Sequence, residues 1–343
     1  NLIRWSGGEG EVFVANLGVL HDAVVAGADT LVLTSNGSVL RHGPLGWTTE
    51  RRFGQEWSIE RSMRLDASGA PCVNDGDQLY RRVDDDWMAL DLPFTAHQLH
   101  DLADNTLVLT NVETGEAWLH GAGGLRCIGF ADQEAGRGWL DLMDVAGQSA
   151  AGFWLLDYGL SYYDGLTFQR WPTSWTSGVD RLAWAPDDGL LLYGSRGLFA
   201  LTDAGTEQLT PRRDWLLDED SYGFRHVLAL PSGEWLAWVQ PGMLMRRAHG
   251  EWQYLRGAGF SVVTDHMSAY PWDTIWGDQR IRLVAREAGA VMCVTGEALL
   301  LYRDPTYSPA VAGPAASPRP REVPAGTAAP GEHAGTRAQE AGG

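Results

Sequence analysis

The chain is written in one recurring unit, about 40 residues long and made only of strand signals. A glycine closes a turn after the second strand of each unit, at Gly37, Gly76, Gly115, Gly159, Gly197, Gly242 and Gly296. The gaps between them are 39, 39, 44, 38, 45 and 54 residues. The clearest unit spans 152–172, GFWLLDYGLSYYDGLTFQRWP, with turns at Tyr158-Gly159 and Asp164-Gly165. Strands this short, joined by glycine-containing turns, form hairpins rather than crossovers. Four such strands per period predict four-stranded sheets repeated radially, a β-propeller.

The units can be assigned strand by strand. The first runs from Val19 to Phe53 as LHDAVV, TLVLTS, SVLRH and GWTTERRF. The second is IERSMRL, APCVN, QLYRRV and DWMALDL, and the third is HQLHDLA, TLVLTN, EAWLH and LRCIGF. The fourth opens with WLDLMDV at 139–145 and continues through 152–172. The fifth and sixth begin at VDRLAWA and FRHVLAL. The seventh has only IRLVARE, AVMCVT and ALLLYR. Residues 11–15, EVFVA, belong to no unit and are assigned as the missing strand, which closes the ring and removes two open sheet edges. The expected fold is therefore all-β, a seven-bladed propeller over 1–303 closed by an N-terminal strand. Six or eight blades follow if the end strands are divided differently. From Ser308 the chain is rich in Pro, Ala and Gly and has no aromatic residue. Such a segment buries too little apolar surface to offset its ordering entropy, so 304–343 are expected to form a disordered tail.

The stretches DGLLLYGSRGLFALTDAGTEQLTP, GFWLLDYGLSYYDGLTFQRW and ASGAPCVNDGDQLYRRVDDDWMALDL resemble the repeats of two-component-regulator propellers, which are WD40-like. The resemblance covers about residues 11–303 and lies at the level of the repeat. It implies a propeller with a sensor-like binding role. In that family the propellers are extracytoplasmic sensor parts ahead of a membrane helix and a kinase, neither of which is present in these 343 residues. The family brings no catalytic motif.

Charge narrows the partners. The net charge is −18, and all 26 basic residues are arginine, a bias that fits a GC-rich bacterial genome. An acidic chain lacks the basic surface that nucleic acid or an anionic membrane needs. No run of about 18 apolar residues is present, so no membrane span is expected. Cys72, Cys127 and Cys293 are odd in number and far apart, which excludes a complete intrachain disulfide framework. They read as buried, reduced thiols, which leans toward a cytoplasmic location. The chain opens at Asn1 rather than a methionine, so a removed signal peptide stays open.

In a propeller the first strand of each blade lines the central channel. Aligning those strands gives His21-Asp22, Glu60-Arg61, Gln98, Asp141, Asp180-Arg181, Arg225-His226 and Arg282. A funnel ringed by carboxylates and guanidiniums suits a polar ligand held by charge-assisted hydrogen bonds. The competing reading is that these charges pair between blades. The loops on the same face carry Trp171 and Trp175 (171–178), Trp215 (211–223), and Trp272 and Trp276 (257–279). Exposed aromatic residues there suit a protein interface or sugar stacking, unless the loops bury them.

Four other patterns carry less. His97 and His100 in HQLHD point to opposite faces of a strand, and His97 and Asp101 lie about 13 Å apart, so no metal is expected there. DEDSYG at 218–223 resembles the start of a calcium loop, but its twelfth position is Ala229. SYYDGLTF at 161–168 resembles a degenerate sialidase Asp-box, for which Arg61, Arg181, Arg225 and Arg282 would supply guanidiniums and Asp22 or Asp141 an acid. No nucleophile elbow, zinc-protease, P-loop or dinucleotide motif is present. The sequence thus points to a non-enzymatic binding or scaffold module without cofactor or metal, whose partner is a protein or a small polar ligand. The alternatives are a carbohydrate-active enzyme or lectin, and a structural assembly subunit.

Overall fold

The computed structural model describes residues 2–6, 9–13, 20–43, 46–53, 61–76, 78–111, 113–129, 142–157, 159–171, 178–186, 189–202, 205–210, 223–230, 233–239, 243–254, 282–287, 290–294 and 299–303. The described secondary structure is entirely strand. At the N-terminus stand β1 (Leu2–Ser6) and β2 (Glu9–Phe13). The first sheet is β3 (Leu20–Ala26), β4 (Asp29–Thr34), β5 (Ser38–Gly43) and β6 (Gly46–Arg52). The second is β7 (Ser62–Leu65), β8 (Pro71–Asn74), β9 (Leu79–Val83) and β10 (Asp86–Ala89). The third is β11 (Gln98–Asp101), β12 (Leu107–Asn111), β13 (Glu116–Gly121) and β14 (Gly124–Gly129). The fourth is β15 (Asp144–Ser149), β16 (Gly152–Leu156), β17 (Leu160–Tyr163) and β18 (Phe168–Trp171). The fifth is β19 (Arg181–Ala185), β20 (Gly189–Gly194), β21 (Gly197–Thr202) and β22 (Gly205–Gln208). The sixth is β23 (Phe224–Ala229), β24 (Trp235–Val239), β25 (Met243–Ala248) and β26 (Glu251–Tyr254). Last come β27 (Arg282–Glu287), β28 (Ala290–Val294) and β29 (Leu299–Arg303).

Each of the first six sheets is a four-stranded antiparallel meander, as glycine-closed hairpins require. The remaining sheet has five strands in the order β2-β1-β29-β28-β27. There β1 pairs with β29 in parallel, Leu2 beside Leu299, and β2 folds back antiparallel on β1. The segment assigned to 11–15 thus lies one strand further out, as β2, and it is LIRWS that meets β29. First strands neighbour one another in sequence, β3 beside β7, then β11, β15, β19, β23 and β27, and β27 lies beside β3. The first strand of the fourth sheet includes residues 144–145 of the expected 139–145. Its first described strand is Asp144–Ser149, and residues 139–141 of the expected strand lie outside the described residues. No described helix is long and apolar enough to cross a membrane. Residues 304–343, assigned to a tail, lie outside the described residues.

The apolar runs explain how the sheets stack. A strand covered on both faces reads as continuous hydrophobic sequence. LVLTN in β12 and WLAWV in β24 are buried at every position. Each is a second strand, and the two faces of β12 serve two cores. Val108 packs with Phe153, Leu155 and Tyr163 of the fourth sheet. Leu107 and Leu109 pack with Cys72 and Leu79 of the second. Successive sheets share further clusters: Leu33, Met63 and Val73 between the first and second, Leu156 and Leu192 between the fourth and fifth, and Tyr193 and Trp235 between the fifth and sixth. Gly37, Gly76, Gly115 and Gly197 have φ of +77°, +107°, +70° and +122°, in the left-handed region that favours glycine.

Candidate functional site

Among the described residues no further strand pairs with the edge of each first strand that faces the middle of the ring, so its backbone amides need other acceptors. Two aspartates meet this need in the same way. Asp22, 4% exposed, accepts from the Ala23 N–H through Oδ1 at 2.9 Å and from the Met63 N–H of the next sheet through Oδ2 at 2.9 Å. Asp144 accepts from the Val145 N–H at 3.0 Å and from the Leu182 N–H of the next sheet at 2.8 Å. Between the fifth and sixth sheets the buried Tyr193 hydroxyl takes this place, accepting from the Val227 N–H. Burial, with the Asp144 charge, drives the Tyr193 phenol well above its ordinary pKa, so it stays neutral.

Side-chain charges add a second set of links. Arg64 donates to Asp22 of the first sheet, and its Nε stands 2.7 Å from Asp101 Oδ1 of the third. Burial opposes the Arg64 charge, but Asp22 and Asp101 outweigh it and hold the guanidinium above its ordinary pKa. His100 Nδ1 lies 3.6 Å from Asp144 Oδ1. Burial pushes Asp144 up, yet His100, the Arg181 charge and the Leu182 amide hold it below the usual carboxylate value. Arg61 and Arg181 each reach back to a carbonyl of the preceding sheet, Ser35 and Met143, both at 3.0 Å.

The start of the fifth sheet differs. Asp180 is exposed. Partial loss of water raises its pKa, opposed by Arg181 and Arg225 and reinforced by Asp144. Arg225 is the extra residue of a β-bulge in β23, where the register jumps from Phe224 to His226. A bulge re-aims the side chain it carries.

Several sequence expectations change against this geometry. Asp22 is in the ring, bound to the Ala23 and Met63 amides and to Arg64. Arg61 grips Ser35, and the residue of the second sheet that links carboxylates is Arg64. Asp141 lies outside the described residues, and the fourth sheet's inner carboxylate is Asp144. Glu60, Trp175, Trp215, Trp272 and Trp276 also lie outside the described residues, as do 218–222 of DEDSYG. Trp171 ends β18 and meets Trp154 edge-on at 5.3 Å, so it is a packing residue. Arg282 opens β27, paired with Val294. His100 and Asp101 face different partners. Asp164 accepts from the Leu166 and Thr167 amides at 2.9 and 2.7 Å, which makes the Asp-box likeness a turn. Three structural residues were missed, Arg64, Asp144 and Tyr193. The signal for the aspartates was the shared pattern of Asp followed by two small or β-branched residues, DAV at 22–24 and DVA at 144–146.

The fold and this ring of first strands define the class as a β-propeller. No protein-family model matches the chain, and no curated protein matches it in sequence. Solved structures do match in fold. The extracellular domain of a putative hybrid two-component system from B. thetaiotaomicron has a TM-score of 0.61 at 13% identity, covering 85% of this chain and 39% of that one. Virginiamycin B lyase from Staphylococcus aureus has a TM-score of 0.58 at 9% identity, covering 83% and 94%. YCF48, in a structure bound to D1 peptide, has 0.56 at 14%, covering 85% and 94%. At these identities the likeness concerns the fold, and the repeats resemble those of two-component-system propellers.

Proposed function

We propose that this chain is a seven-bladed propeller whose ring is closed by the N-terminal β1–β2 hairpin, and that it works as a non-enzymatic binding scaffold for a protein or a small polar ligand. The ligand-facing part of the ring is the start of the fifth and sixth sheets, around Asp180, Arg225 and His226. The observation that carries this reading is a division among the ring's charges. Asp22, Arg64, Asp101, His100 and Asp144 are committed to links between sheets, while Asp180 is exposed beside a bulged arginine. The loops at 171–178, 211–223 and 257–279 are proposed to extend the same surface, and residues 304–343 to serve as a tail or tether.

The test is a thermal-shift panel of neutral sugars, sugar acids, small carboxylates and phosphate, paired with capture from host lysate. Both are run on the wild type and on Arg225→Ala. The reading expects one ligand class or one captured protein whose binding is lost in the variant, and no chemical change in the ligand. Turnover of a ligand, or binding indifferent to Arg225, counts against it.

A further inference from the structure

We propose that His120 makes the seam between the second and third sheets sensitive to mild acid: the seam is closed while the imidazole is neutral and opens when it takes a proton. Strand register sets two rows of side chains against each other. Across the second sheet the row is Arg64, Cys72, Arg81 and Met88, each directly opposite the next. Across the third it is Asp101, Leu107, His120 and Leu125. Residues directly opposite in an antiparallel pair share a face. Two contacts fix how the rows meet. At the inner end Arg64 Nε stands 2.7 Å from Asp101 Oδ1. At the second position Cys72 packs with Leu107, both fully buried. The third positions then bring His120 opposite Arg81. Trp118, two residues before His120 on the same face, packs against the Cys72–Leu107 cluster as well.

A proton on His120 finds no acceptor in the closed seam. The His120 Nδ1 is buried and has no hydrogen-bond partner. The charges that face it from the second sheet are Arg81 and Asp66. Asp66 is already taken by Arg81 Nε at 2.5 Å, by Ser68 Oγ at 2.6 Å and by the Ser68 and Ala70 amides. On its own sheet its direct neighbours, Leu107 and Leu125, are apolar, and Asp101 is engaged by Arg64. An imidazolium here loses water without gaining a partner, and it meets the like charge of Arg81.

Burial foremost, and then Arg81, hold the His120 pKa below its ordinary 6.5, against the pull of Asp66. The imidazole therefore charges more readily when the seam is open than when it is closed. Its contribution to closure is complete above the ordinary value and is lost as pH falls through the lowered one. At about pH 5.5, one proton taken up by an opened histidine favours opening by at most about tenfold. The acid response of Asp66 lies below about pH 4, outside this window.

Cys72 reports on the seam. It lies fully buried within it, whereas Cys127 on β14 is exposed. Burial, with the Asp66 charge, pushes the Cys72 thiol up to about 12, so it reacts only once the seam opens. The full chain is treated with dithiodipyridine, which labels thiols in acid, at about pH 7.5 and about pH 5.5. Peptide mass spectrometry gives the labelling rate of Cys72 divided by that of Cys127. This ratio is expected to rise about three- to tenfold at the lower pH. His120→Asn and His120→Phe remove the titrating group, and in each the ratio is expected not to change with pH, whatever the variant's stability. A ratio independent of pH in the wild type, or a rise that persists in either variant, overturns the proposal. Cys293 in β28 is followed in the same digests. A parallel rise at Cys293 makes the event an unfolding of the whole ring and also overturns the proposal.

Discussion

Asp66 shows how one carboxylate holds a turn and makes it sensitive to acid. It accepts from the Ser68 and Ala70 amides at 2.8 and 3.0 Å, from Ser68 Oγ at 2.6 Å, and from Arg81 Nε at 2.5 Å. Burial pushes its pKa up, but these donors, Ser68 and Arg81 foremost, hold it below the ordinary 3.8. Asp144 is lowered likewise. A carboxylate depressed in the folded state adds stability that is complete above its unfolded pKa and is lost as pH falls through the folded value. Denaturant midpoints are therefore expected to fall steeply below about pH 4, and Asp66→Asn is expected to flatten that fall. At this scale the sequence was only partly legible. It marked Asp22 and Asp180, but strand phase decides which charged residue meets the ring. The sequence did not single out Arg64 or Asp144, and Asp141 lies outside the described residues.

Turns and second strands behave differently at the scale of the element. Gly37 has φ +77°, and a Cβ there would lie 2.0 Å from Phe53 O. Gly69 has φ +80° with open space around it. Gly69→Ala is expected to cost about 1 kcal/mol, the penalty of a left-handed alanine. Gly37→Ala is expected to cost about 3 kcal/mol or more, because backbone must also move. Urea unfolding of the two variants separates the terms. Leu192, fully buried between the fourth and fifth sheets, is expected to lose about 2–5 kcal/mol on truncation to Ala, by calorimetry or denaturant unfolding. Strand positions in the first six sheets were legible because glycine spacing and two-sided apolar runs are local signals. The order of β1 and β2 was not. Both EGEVF and LIRWS are plausible strands, and only the long-range pairing of Leu2 with Leu299 tells which one meets β29.

For the whole molecule, two predictions follow from the way neighbouring sheets share cores and amide acceptors. If the β1–β2 hairpin closes the ring, removing residues 1–19 exposes the edge of β29 and lowers the midpoint of the entire unfolding transition. A truncated chain that unfolds like the intact one would contradict closure. The central claim is that the ring's carboxylates divide into those that bind sheets together and one left for a ligand. The most direct measurement is the melting temperature at neutral pH of Asp22→Asn, Asp144→Asn and Asp180→Asn beside wild type. Asp22 and Asp144 each serve two backbone amides in adjacent sheets, and both substitutions are expected to lower the melting temperature by about 4 °C or more. Asp180 has its pKa raised in the fold, so its contribution is present below the unfolded value and lost as pH rises. Its loss at neutral pH is expected to leave the melting temperature unchanged or slightly higher. A large drop for Asp180→Asn, with Asp22→Asn and Asp144→Asn near wild type, would contradict the division on which the functional reading stands.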